Sequence, residues 1–233
     1  PELPDIAAVR RRLRPGQSLL AYHWGQERAW AFVIRSDTFA VRSLTLNNEA
    51  EEQTVLRFFD HCSGNPYAVP DDQRQRVFAE LCTDGQALYR SWMAPVADLL
   101  KESVIVVPDG LLCLLPFEAL LTSADTASYR FHRHHFLIKK YHIGYAHSAA
   151  AWLSLCQRPR SEAPRPLLAI APDFDHNTHG LRPLRHNAAE ADSVQALTDG
   201  DVWHGNAARK QRFQAEADQY RVLLLSTHGV TDD

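Results

Sequence analysis

From residue 167 to residue 227, apolar runs of strand length alternate with segments of helical period, and this alternation constrains the fold more than any other feature. Residues 167–171, 201–203 and 221–227 read as strands. Residues 187–197 and 207–217 read as helices, the second with Asn206 as its N-cap. Strand and helix joined by short loops imply a parallel sheet with right-handed crossovers. The carboxyl ends of such strands share one edge, where open α/β folds leave a crevice. The last strand brings Thr227, His228 and Gly229 to that edge, and the loop after residue 171 brings Asp173 and Asp175.

The preceding residues follow a different grammar. Residues 3–13 have apolar positions at helical spacing and stop at Pro15-Gly16. Residues 18–24, 29–34 and 39–46 are separated by turn residues and predict a three-stranded antiparallel meander, with Trp24, Trp30 and Phe32 on its packed face. Asn47 or Asn48 caps a helix over 49–61, with Val55, Leu56, Phe58 and Phe59 inward. A second helical region runs from Asp71-Asp72 to Leu100, divided or kinked at Gly85 and Pro95. Val104–Val107 is a short continuous apolar run suited to a strand buried on both faces. The turn Pro108-Asp109-Gly110 then predicts a hairpin with 111–115, feeding a helix over 117–121. Residues 122–135 read as a histidine-rich loop, 136–145 as a strand and 148–155 as a helix capped by Ser148. The proline-rich stretch 157–166 reads as a linker between an α+β part, 1–156, and an α/β part, 167–233.

Composition narrows the function classes. The 233 residues are 45% hydrophobic and 23% charged, ordinary globular values, and the formal net charge of -3 supplies no global attraction for nucleic acid or an anionic membrane. The basic run Arg10-Arg11-Arg12-Leu13-Arg14 reads as a solvated helix face. No apolar stretch reaches membrane-spanning length and the N-terminus lacks a signal-peptide layout, so a cytoplasmic protein is expected. Cys62, Cys82, Cys113 and Cys156 are scattered without a C-x-x-C pair, and read as reduced, buried small hydrophobes.

Five blocks carry a family likeness. The stretch from Val106 to Leu120, VVPDGLLCLLPFEAL, resembles the signature of the CHAT domains, caspase-like relatives of separase that often accompany tetratricopeptide repeats. Tyr141–Ser148, Leu184 with Asn187-Ala-Ala-Glu190, Gly205–Ala208 and Leu225–Gly229 resemble further family segments, in the family's order. The likeness covers residues 15–233 and is weakest over the first hundred. It implies an open, mainly parallel caspase-like sheet flanked by helices, incomplete here, with 1–156 either an extension or a degenerate caspase-like half. It also implies a bacterial-type cysteine endopeptidase in which His228 is the catalytic histidine. The partner cysteine would end the next strand, but no cysteine occurs in Gly229–Asp233. The expectation is therefore a chain cut short before its nucleophile, inactive by itself. In a longer protein it would act on a protein or peptide substrate beside a tetratricopeptide-repeat segment or regulatory protein, without direct nucleic-acid or membrane contact.

That chemistry has a physical rationale. A thiol of ordinary pKa needs a neighbouring base to form thiolate, and histidine can take that proton and return it to a leaving amine. Gly229 has no Cβ to obstruct a substrate backbone, and its amide could face an oxyanion. Asp173 and Asp175 are candidate substrate-binding carboxylates. Cys113, inside the Leu-rich signature, reads as structural, and Ser226 lacks an orienting acid. His132, His134 and His135, like His176 and His179, fall in predicted loops and read as exposed histidines, so neither metal nor cofactor is expected. Trp203, His204 and Gly205 read as turn packing, and Glu190 and Asp192 as a solvated helix face. A non-catalytic pseudopeptidase or interaction module is the alternative function. A nucleotide-binding domain is disfavoured because no Gly-rich phosphate loop follows residue 171.

Overall fold

The structure, a computed structural model, describes residues 5–64, 69–123, 131–159, 162–174 and 181–229. It divides into two compact units, Pro1–Arg158 and Pro159–Asp233. Among the described residues no helix is long and apolar enough to cross a membrane.

The first unit is built on a five-stranded mixed sheet. Strands β1 (Gln17–Trp24), β2 (Ala29–Ile34) and β3 (Phe39–Leu44) form the expected antiparallel meander. Strand β4 (Ser103–Val107) then lies parallel to β1, and β5 (His142–Tyr145) parallel to β4, giving the order β3-β2-β1-β4-β5. Helices α1 (Ile6–Arg12) and α4 (Ala149–Gln157) cover one face, where Val9, Leu13, Leu19, Ile34 and Val107 meet Trp152. Helices α2 (Asn48–Ser63) and α3 (Asp71–Leu88) lie on the side of the larger core, around Leu20, Tyr22, Ala31, Val55, Phe58 and Trp92. The packed face of the meander is therefore Leu20, Tyr22 and Trp24 with Ala29, Ala31 and Val33. Trp30 and Phe32, half-buried, alternate onto the other face.

The end of α3 shows how the core is closed. Gly85 lies inside the helix rather than breaking it, because a Cβ there would stand 2.7 Å from Leu121 Cδ1 and 2.8 Å from Phe58 Cε2. Past Leu88 the helix widens into a π-turn, Tyr89–Met93, and tightens into a 3-10 turn, Ala94–Val96, at Pro95. The π-turn carries Trp92 into the core, where its carbonyl accepts from Tyr22 Oη at 2.8 Å and its indole N–H donates to Glu51 at 3.1 Å. Burial raises the Tyr22 phenol above its ordinary pKa, keeping it a neutral donor.

Three further expectations fail in this unit. Residues 111–115 are not the second arm of a hairpin: Gly110–Leu114 is a 3-10 turn that buries Leu112 and Leu115, three residues apart. A continuous apolar run does not distinguish that period from a strand. Phe117–Ala119 is likewise a single 3-10 turn. In 136–145 only His142–Tyr145 joins the sheet: Phe136 makes an isolated antiparallel bridge to Leu121, and Leu137–Lys139 turns back to bond Leu120. In the basic run, Arg10 donates to the Ser36 carbonyl at 3.3 and 3.2 Å and Arg12 donates to that of Cys156, so α1 is tied to its neighbours.

The second unit is a three-stranded parallel sheet in the order β7-β6-β8. Central strand β6 (Arg165–Ala171) is bonded to β7 (Asp201–His204) and β8 (Tyr220–Leu225). Helix α5 (Asn187–Thr198) packs Ala191 and Val194 against Leu167, Ala169 and Ala171. On the opposite face α6 (Lys210–Glu216) places Phe213 with Leu168, Ile170, Trp203 and Tyr220. Asn206 does not cap α6; it lies in the 3-10 turn Gly205–Ala207, and the helix starts after Arg209. The last strand stops at Leu225, two residues short of the expected end.

The Gly85 contact sets a test of this packing. Gly85→Ala should lower the denaturant midpoint by the equivalent of about 1–3 kcal/mol, the range for overfilling a tight core. A midpoint equal to or above the parent's would contradict the contact.

Candidate functional site

Three strand ends define the site. In the β7-β6-β8 order the chain leaves β6 toward β7 and then crosses back to β8, so the connections diverge beside β6 and β8. Such a switch point leaves space outside the strand carboxyl ends. Pro172, Asp173 and Phe174 follow β6, Gly205 follows β7, and Ser226, Thr227, His228 and Gly229 follow β8.

His228 is half-buried, and its Nδ1 is buried without a hydrogen-bond partner among the described residues. The Phe174 ring stands perpendicular to the imidazole in a T-shaped contact, with ring centres 4.5 Å apart at 86°. The ring is thus held by an aromatic contact while one nitrogen stays uncommitted, as a proton acceptor requires. Among the described residues nothing lies within 4 Å of where a Cβ on Gly229 would stand. Asp173 turns to the β7 side: Gly205, at φ +47°, packs so closely under its carboxylate that a Cβ there would collide with Oδ2. Asp175, His176 and His179 lie outside the described residues.

Ser226 is not on the strand face shared with His228. It lies just beyond β8, extends the ladder by donating its N–H to the Ile170 carbonyl at 2.9 Å, and gives its buried hydroxyl to Glu190 on α5. The acid beside Ser226 is therefore present, contributed by a helix that the alternation placed without revealing which way its polar residues turn. Asp192, on the same helix, pairs with His204 Nε2 at 2.8 Å, and Asn187 Nδ2 donates to the Pro172 carbonyl at 2.9 Å. Glu190 and Asp192 are thus not merely solvated, and His204 is more than turn packing. Asn187 and Glu190 both lay within a family-like block, the one signal that could have drawn attention to them.

The cysteines also depart from expectation. All four are free, but only Cys82 is buried; Cys62 and Cys113 are exposed and Cys156 is half-buried. Cys113 lines a cleft of about 270 Å3 with Pro108, Tyr145, Ala146 and His147. Beside it, Tyr145 accepts the Phe117 N–H at 2.8 Å and donates to Glu118, and desolvation with that hydrogen bond raises its pKa. The Cys62 thiol is pushed up to about 11, by burial first and the Glu118 charge second. His134 is not an exposed loop histidine. It is buried against Phe78 and Phe136, with Nδ1 3.9 Å from Cys82 Sγ. His132 and His135 are exposed, and among the described residues no group of three or more His, Cys, Asp or Glu side chains could hold a metal.

A family model, that of the CHAT domain, matches residues 83–233, more than half of the sequence. The two sheets with their covering helices make a mixed α/β protein, and the chain belongs to the CHAT domain family. Among curated proteins none matches the chain. Among solved structures, a PilM-PilN type IV pilus biogenesis complex aligns over 66% of this chain and 52% of its own, at 18% identity and a TM-score of 0.24. The chain spans about half the length of that structure, and so low a score carries no weight for fold or function.

Cysteine reactivity checks the surroundings assigned to the free thiols. At pH 8 a thiol of pKa about 11 is only about one part in a thousand thiolate, so Cys62 should alkylate slowly despite its exposure. Its rate should climb about tenfold per pH unit toward 11, while Cys82 stays protected until the unit unfolds. Peptide mapping after timed iodoacetamide pulses reads both; rapid labelling of Cys62 at pH 8 would remove the basis for its raised pKa.

Proposed function

We propose that the chain is the base-bearing part of a caspase-like cysteine endopeptidase acting on protein or peptide substrates. The observation that carries this reading is His228, which stands just past β8 at the carboxyl edge of a parallel sheet, its buried Nδ1 without a hydrogen-bond partner among the described residues, in a chain of the CHAT family. The nucleophile is a cysteine from outside residues 1–233, on a strand pairing with the edge of β8. Among the described residues that edge is unpaired, with Val222, Leu223 and Leu225 exposed. His228 takes the thiol proton, and the thiolate attacks the scissile carbonyl carbon. The oxyanion forms near the Gly229 amide, and the imidazolium then protonates the leaving amine. Water hydrolyses the resulting thioester by the same base. Asp173 and Asp175, following β6, meet substrate from the neighbouring loop.

Four free thiols fit a reducing, cytoplasmic setting. A tetratricopeptide-repeat segment or a regulatory protein is the proposed partner. The exposed apolar edge of β8 also suits a non-catalytic module that binds a partner by strand addition.

Cleavage of a peptide library by the full-length protein separates the two readings. The parent should cleave, and His228→Ala should lower kcat/KM by at least about 100-fold, the lower bound for loss of a general base. Equal activity in parent and variant would sink the peptidase reading, and inactivity of both would favour the binding module.

A further inference from the structure

We propose that α5 sets the position of His228, with Glu190 as a positioning residue acting through Ser226. The inference rests on the reading of His228 as the base. Three side chains from the first half of this one helix reach the carboxyl ends of all three strands of the sheet. Asn187 holds the Pro172 carbonyl after β6, Asp192 holds His204 at the end of β7, and Glu190 holds the Ser226 hydroxyl after β8.

Two of these links lead to His228, one along the chain after β8 and one through the loop after β6. Ser226 is two residues before the imidazole, its side chain buried and its N–H tied to the Ile170 carbonyl. With its hydroxyl given to Glu190, the first residue beyond β8 is fixed by backbone and side chain together, so the turn to His228 starts from one defined geometry. After β6, Asn187 fixes Pro172, and two residues later the Phe174 ring makes its T-shaped contact with the imidazole. The helix is itself registered on the sheet by Ala191, fully buried between the Glu190 and Asp192 positions against β6. A small displacement of α5 would therefore move both of these segments. A carboxylate in the first turn would favour the helix dipole wherever its side chain pointed. Only a positioning role requires that removing Ser226 have the same effect as removing Glu190.

The test uses the full-length protein with Cε1-labelled histidine, the His228 resonance being assigned by its loss in His228→Ala. Glu190→Ala and Ser226→Ala should each shift or broaden that resonance and lower kcat/KM about tenfold. The double variant should be no worse than either single one, because both remove the same link. Glu190→Gln, which keeps an acceptor for the Ser226 hydroxyl, should retain the parent's resonance and rate. If Glu190→Ala does not fold, Ser226→Ala and Glu190→Gln still carry the comparison. An unmoved His228 resonance in Ser226→Ala, or additive losses in the double variant, would overturn the proposal. Full activity in His228→Ala would instead remove the peptidase reading, leaving the resonance to judge the link between α5 and His228.

Discussion

The burial of β6 on both faces and its hydrogen bonding on both edges is the constraint from which the second unit follows. Leu167–Ala171 are all buried, so neither face can meet water and each needs a covering helix. Helix α5 answers to Leu167, Ala169 and Ala171, and α6 to Leu168 and Ile170, which is the two-residue alternation of a strand expressed as two layers. Covering both faces with one helix each forces crossovers on opposite sides, and crossovers make the strands parallel. Parallel strands bring every strand-to-loop turn to a single edge. A shift of one residue in the pairing of β6 would exchange the two faces and carry Ser226 away from Glu190.

The first unit meets the same demand with mixed pairing. Its centre is β1, antiparallel to β2 and parallel to β4, and the junction is sealed by aromatic and polar contacts rather than by alternation alone. Tyr22 stacks on Phe117, meets Trp92 edge-on and gives its hydroxyl to the Trp92 carbonyl. Glu51 accepts from both Ser91 and the Trp92 indole, so the irregular turn is anchored by α2. An irregularity at the end of α3 thus becomes the part of the core to which β1 and α2 both attach.

What could be read from the sequence follows from what each pattern encodes. Strands of the meander and of the parallel sheet came through, because alternation and continuous apolar runs report burial directly. The Leu-rich signature did not: Leu111–Leu115 has no polar residue to mark a period, and only tertiary packing decides that Leu112 and Leu115 point inward from a 3-10 turn. At the site, His228 and Asp173 were legible because strand ends are legible. Glu190, Asp192 and Asn187 were visible as helix residues, but not as the partners of Ser226, His204 and Pro172. Those contacts span 36, 12 and 15 residues and depend on the rotation of α5 about its axis, which Ala191 fixes by burial and no local pattern announces. Cys113 was misread for a related reason. A cysteine among leucines looks apolar in sequence, yet the 3-10 turn directs it to the surface between two inward leucines.

The absence of a charged neighbour bonded to His228 Nδ1 among the described residues bears on how such a site could work. In a hydrolase with an acid behind its histidine, that acid fixes both tautomer and orientation. Here the ring has a perpendicular phenylalanine beside it and follows a turn tied to the sheet, neither of which carries charge to the ring. The Glu190 carboxylate reaches the histidine only through geometry, by way of a serine hydroxyl. A thiol is acidic enough to need a well-placed base more than a strongly polarised one. An aromatic contact and a tied turn therefore suit the cysteine nucleophile of the proposal, where an alcohol would demand more.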